Sequence, residues 1–159
     1  MKMEKEKMTI ILFSGEMDKA IAAFTLATTA AASGMDVSIF FTFWGLNVLK
    51  NDIFAIGGKK NILQRMFNLM STKTLPTTRL NMFGLGPLMM RMLMKSTGAA
   101  PLEDLMNLSR QLGVKYIACT TSCGILGLSE KDMSGDVDEF AGAATYLGEA
   151  RSSKINLFI

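Results

Sequence analysis

Two cysteines and no histidine bound the nucleophilic chemistry open to this 159-residue chain. Both cysteines fall in one stretch, Lys115-Tyr116-Ile117-Ala118-Cys119-Thr120-Thr121-Ser122-Cys123-Gly124. Tyr116 to Ala118 is a short apolar run that reads as a buried strand. It delivers Cys119 to the strand's carboxyl end, the edge outside which ligands bind in open α/β sheets. A thiol there faces the backbone N–H groups of the following turn, which favour its thiolate. Cys119 is therefore the candidate nucleophile. Cys123 has two readings. It is a resolving thiol, because a pair four residues apart across a helical turn approaches disulfide distance, or it is a buried small hydrophobe. Without histidine, Cys-His-Asn and Ser-His-Asp acyl transfer are excluded. Two thiols leave tetrahedral coordination incomplete, so no metal is expected. Gly84-Leu85-Gly86 follows no strand and lacks a third glycine, so it is no dinucleotide fingerprint, and no cofactor is expected.

The elements that must position Cys119 read as alternating strands and helices. Met8 to Phe13 is a continuous apolar strand closed by Ser14-Gly15. A helix follows from about Met17 to Ser33, with Met17, Ile21, Phe24 and Thr28 on one face, and ends at Gly34. Its alanines allow close approach to a sheet, and Asp18 complements the helix dipole. Val37 to Phe43 is a second strand closed by Trp44-Gly45. A strand, a covering helix and a strand make a right-handed parallel unit. Ser14, Gly15, Trp44 and Gly45 then share the edge of Cys119, and with Thr120 and Thr121 they are the candidate ligand-binding residues. Trp44 is expected in the core, with a pocket wall as the alternative.

Further on, a helical turn spans Gly45 to Asp52, a break spans Ile53 to Lys60, and a helix spans Asn61 to Ser71. Thr72 to Arg79 reads as a surface loop. Asn81 to Lys95 is Met-rich and reads as a helix apolar nearly all round. It is core filler, a subunit interface or a lid over the thiol, and interface or lid ranks ahead of core because a helix wet on one side should be more polar. Pro101 opens a helix that stops at Gly113. A last helix is expected from Asp136 to Arg151, around Val137, Phe140, Ala144 and Leu147. Ile155 to Ile159 is the closing strand. The alternation predicts a single α/β domain over residues 1–159 with four or five mainly parallel strands.

Composition adds partners. Hydrophobic residues make up 49% of the chain and charged ones 19%, a surplus best buried against further copies. The most apolar stretches are too short to cross a bilayer. The mixed charges of residues 1–7 do not resemble a signal peptide, so a cytoplasmic setting with reduced thiols is expected. The net charge of +3 hides an asymmetry: between Val37 and Leu102 eight Lys/Arg face Asp52 alone. That suits an acidic protein, an anionic ligand or head-to-tail assembly. The bases are scattered among Met and Leu with little aromatic interleaving, so nucleic acid is not expected. A membrane surface ranks below the other partners.

Several short motifs resemble one family together: Ser14-Gly15-Glu16-Met17-Asp18-Lys19-Ala20, Phe40-Phe41-Thr42-Phe43-Trp44-Gly45-Leu46, Asn81-Met82-Phe83-Gly84-Leu85-Gly86, Ile117-Ala118-Cys119, Ala144-Thr145-Tyr146-Leu147-Gly148 and the Asn156-Leu157-Phe158-Ile159 end. They are similar to the DsrE/DsrF-like sulfur-relay family, in its Met-rich branch often labelled a peroxiredoxin family. The resemblance implies a three-layer α/β/α sandwich, assembly into homotrimers or homohexamers, and an active thiol at Cys119 that carries sulfur as a persulfide. Thr121-Ser122-Cys123-Gly124 departs from that branch, which typically has Met and Asp-like residues there, so the resemblance leaves Cys123 unexplained. The leading expectation is a sulfur carrier or sulfurtransferase exchanging sulfur with donor and acceptor proteins or small thiols. A thiol redox protein using Cys119 with Cys123 is the second reading, and a non-enzymatic oligomeric or membrane-peripheral module the third.

Overall fold

The computed structural model describes residues 5–50, 61–70, 75–79, 81–134 and 136–159, and of 67–70 only the helical backbone. Five strands, β1 (Lys7–Leu12), β2 (Asp36–Phe41), β3 (Lys115–Cys119), β4 (Glu139–Ala141) and β5 (Ile155–Phe158), form one sheet in the order β4-β3-β2-β1-β5. Every pairing is parallel. Among the described residues the helices are α1 (Met17–Ala32), α2 (Ile62–Met70), α3 (Leu85–Thr97), α4 (Leu102–Gln111), α5 (Thr120–Leu126) and α6 (Ala143–Arg151), with a 3₁₀ turn at Phe43–Leu49.

The strand order dictates the layers. From β1 to β4 the chain steps across the sheet in one direction, and right-handed crossovers then place α1, α4 and α5 on one face. The return from β4 to β5 runs the other way, so α6 lies on the opposite face. The buried clusters follow this split. Phe24 and the alanines of α1 pack with Leu102 and Leu105 of α4 on Ile10, Leu12, Ile39, Phe41, Tyr116 and Ala118. On the other face Tyr146 and Ala150 of α6 meet Ile11, Phe40, Ile117, Cys119 and Ala141. The expected α/β/α sandwich is found, with five strands and all of them parallel.

Three expectations change. Asp136 to Arg151 is not one helix: Glu139-Phe140-Ala141 pairs with the end of β3, and only Ala143 onward is helical. The break is fixed by Asp138, whose carboxylate accepts the Tyr116 backbone N–H at 2.7 Å and so draws the segment into the sheet. Tyr146, not Leu147, is then the buried face of α6. Second, β2 stops at Phe41, because the Thr42 N–H bonds the Leu12 carbonyl at 3.1 Å and Phe43 turns into a left-handed backbone with φ 46°. Third, the Met-rich helix is not core filler, since its apolar side chains are mostly exposed.

The loop before it behaves differently from a plain surface loop. Leu75 and Thr77 are buried, the Pro76 carbonyl accepts the Met17 N–H at 2.7 Å, and Asp18 accepts the Thr78 N–H at 3.1 Å. Asp18 thus fastens residues 75–79 over the start of α1. Residues 51–60 and 71–74 of the sequence reading lie outside the described residues.

Candidate functional site

Cys119 is the last residue of β3 and the N-cap of α5, so its position follows from the strand-to-helix transition itself. Its side chain packs among Phe40, Ile117, Ala141 and Tyr146 and is only 6% exposed. Ile125, six residues on and near the far end of α5, is exposed.

What surrounds the sulfur on its polar side is a pair of hydroxyls. Ser122 Oγ and Thr42 Oγ1 lie 2.8 Å apart although 80 residues separate them in sequence. Each hydroxyl has one proton. The two protons are shared between the Thr42–Ser122 bond and the Cys119 sulfur, which both hydroxyls reach. Burial pushes the Cys119 thiol up, but bonds from the Ser122 hydroxyl and N–H, the Thr42 hydroxyl and the Thr121 N–H outweigh it and hold the thiol below 9.0. Cys123 lies on the opposite side of that balance. Its thiol is pushed up to about 11, first by burial and then by the neighbouring Cys119 charge. Both thiols are free, and of the two only Cys119 is held below the ordinary thiol value.

Thr42 is held where it is by a tight contact. Gly45 donates to the carbonyls of Phe13, at 2.9 Å, and Thr42, at 3.0 Å, and a Cβ at Gly45 would lie 2.0 Å from the Leu12 carbonyl oxygen. Gly15 is closed in the same way, with the Trp44 carbonyl oxygen 2.7 Å from where its Cβ would be. The ends of β1 and β2 are therefore locked together beside the thiol. From this frame Phe43 meets Phe13 in a tilted pair at 5.3 Å, and Phe13 stacks on Phe158 at 5.8 Å, making a partly exposed aromatic rim.

Residues 4–158 match the model of the DsrE/DsrF/DrsH-like family. The chain belongs to that family. The uncharacterized protein YrkE of Bacillus subtilis is 40% identical over 98% of this chain and 98% of its own. The sulfur carrier protein DsrE2 of Allochromatium vinosum is 35% identical over 99% of this chain and 100% of its own. Among solved structures, the protein of unknown function MTH1491 from Methanobacterium thermoautotrophicum superposes with a TM-score of 0.57 at 11% identity, covering 98% of this chain and 100% of the other. The ychN protein of E. coli gives 0.52 at 10% identity, with 98% and 100% covered. At such identities the likeness concerns the fold.

In this DsrE/DsrF/DrsH-like chain the candidate residues separate into two groups. Thr120 and Thr121 are exposed at the start of α5, and Trp44 is 40% exposed at the rim, not in the core, because its turn leaves β2 at the surface. Ser14, Gly15 and Gly45 reach the expected edge but are buried. Ser14 accepts from Lys19 Nζ at 3.1 Å, and the two glycines are closed by backbone. These three shape the frame of that edge. Cys123 packs in the larger cluster on the α1 side, away from the cluster that holds Cys119. Sequence reading missed Ser122 and Thr42. The available signal was a hydroxyl at the end of an expected strand and another three residues after the cysteine.

Proposed function

We propose that this chain is a cysteine sulfur carrier that holds sulfane sulfur as a persulfide on Cys119. The observation that carries the reading is the thiol at the carboxyl end of β3, held below its ordinary value by hydroxyl and N–H donors. A relative named a sulfur carrier, 35% identical over its whole length, supports a role in sulfur relay.

In the loading step the Cys119 thiolate attacks the outer sulfur of a donor persulfide. The donor's S–S bond breaks, its inner sulfur leaves as a thiolate, and Cys119 becomes a persulfide. In the unloading step an acceptor thiolate attacks the outer sulfur on Cys119, forming the acceptor persulfide and returning the Cys119 thiolate. No net oxidant or reductant is consumed. The Ser122 hydroxyl and the N–H groups of Thr121 and Ser122 stabilise the thiolate as leaving group in unloading and as nucleophile in loading. Donors and acceptors are proteins or small thiols, the setting is the reducing cytoplasm, and the working form is a homotrimer or homohexamer.

The redox couple of Cys119 with Cys123 is the weaker alternative, because a thiol pushed up to about 11 is nearly all protonated at neutral pH and slow to attack. Intact-mass analysis after incubation with polysulfide tests both. Reductant-sensitive gains of about 32 Da, lost in Cys119→Ser and kept in Cys123→Ser, are expected for a persulfide carrier. Adduct formation independent of Cys119, or a loss of two hydrogens that needs both cysteines, rejects it.

A further inference from the structure

Turned away from the sheet, α3 presents an apolar surface to solvent. At 3.6 residues per turn Leu85, Leu88, Met89, Met92 and Leu93 cover an arc of roughly 140°, and each is more than half exposed. The helix touches the protein through its other side, where Pro87 is buried and Met90 packs on the core. Just before it Met82 and Phe83 adopt left-handed backbones, φ 34° and 56°, and the Phe83 ring stands fully exposed. Such conformations are costly for bulky residues. Arg91 and Lys95 border the arc on one side. From Val37 to Leu102 the sequence holds eight bases and a single acid, Asp52.

We infer that the outer face of α3, with Phe83, docks on an anionic lipid surface, lying in the interface without spanning it. This goes beyond the sulfur-carrier reading and does not depend on it. The helix is about 20 Å long by its 1.5 Å rise, too short for a hydrocarbon core of about 30 Å. Among the described residues no helix is long and apolar enough to cross a membrane. An apolar arc flanked by long basic side chains is the pattern of an interfacial helix, the stems entering the acyl boundary while the charges meet headgroups. An antiparallel two-fold contact with a second copy through this face is the poorer fit, since it brings Arg91 and Lys95 against their own like. Glu103 reaches Arg91 at 3.5 Å but leaves both exposed, so the pair is weak. A convex arc of leucines with two flexible methionines also suits a fluid surface better than a shaped pocket.

Flotation of the full chain with vesicles is the test, using phosphatidylcholine alone against phosphatidylcholine with phosphatidylglycerol. Binding is expected only with the anionic lipid at low salt, and weaker at high salt. Met89→Glu with Met92→Glu should cut the bound fraction at least about tenfold with the thermal unfolding midpoint unchanged, since both side chains are already in water. Arg91→Glu and Lys95→Glu should each lower it by roughly fivefold or more. Met92→Trp should show a blue-shifted emission on the anionic vesicles, and Cys119→Ser should bind as the parent does. Failure of the parent to float at low salt overturns the inference. So does flotation that survives Met89→Glu with Met92→Glu, or sedimentation equilibrium in which that variant loses an oligomer the parent forms without lipid.

Discussion

At the amino end of the sheet, Arg110 grips Asp138 with two bonds, 2.5 and 2.8 Å, stacks over Tyr116 at 4.7 Å and donates to the Val114 carbonyl at 2.9 Å. Lys115 beside it pairs with Glu139 at 2.7 Å and Glu149 at 3.2 Å, and Lys154 pairs with Glu6. At the carboxyl end the donors that hold Cys119 down are two hydroxyls and two backbone N–H groups, none of them charged. Formal charge fastens one end of the strands, whereas oriented dipoles tune the other. A fixed cation beside the sulfur would stabilise the thiolate further, but it would also make it a poorer nucleophile and bind any anionic visitor indiscriminately. Dipoles supplied by α5 and by the end of β2 give a milder activation.

The contrast can be broken most severely at Gly45. A Cβ there collides with the Leu12 carbonyl, so Gly45→Ala should lose about 3 kcal/mol of stability by denaturant titration, and displacing Thr42 should raise the thiol pKa read from the pH dependence of alkylation. Ser122→Ala removes one donor from the sulfur. It should cost about 1 kcal/mol of thiolate stabilisation, cutting alkylation at neutral pH roughly fivefold while the fold persists. Its counterpart, Arg110→Ala, should do the reverse: about 1 kcal/mol of stability lost for a partly exposed pair, with thiol reactivity unchanged. A shifted alkylation profile in Arg110→Ala would merge the two ends into one electrostatic unit.

The smallest effect is the pH dependence of stability. Cys119 is lowered in the folded chain, so its contribution appears as pH rises through the folded value towards 9.0 and is lost as pH falls through it. Cys123 is raised, so its contribution is present below 9.0 and is lost as pH climbs from there to about 11. Stability attributable to the thiols should pass through a maximum near the ordinary thiol value. Cys123→Ala should remove the falling limb alone, as measured by denaturant midpoints across that range.

Much of the scaffold was legible because it rests on local patterns. Met8 to Leu12, Val37 to Phe41 and Tyr116 to Ala118 are continuous apolar runs, as strands buried on both faces must be, and the alanines of α1 are the residues that meet the sheet. Cys119 was placed at a strand end for the same reason. The short edge strand Glu139-Phe140-Ala141 was not legible, since three residues carry no period and their state is set by pairing with β3 and by the Asp138 bond to Tyr116. Nor was the Thr42–Ser122 pair, which exists only once two strand ends lie side by side. Trp44 was misjudged because hydrophobicity speaks for burial, while the turn that follows β2 decides exposure.

The contact between Gly45 and the Leu12 carbonyl has one more implication. Where only a hydrogen atom fits between two backbones, neither can slide, and Phe13, Thr42 and Phe43 keep their places at the ends of β1 and β2. For the sulfur carrier proposed above, reach would then have to come from the partner, bringing its own thiol on a supple tether to a rigid frame.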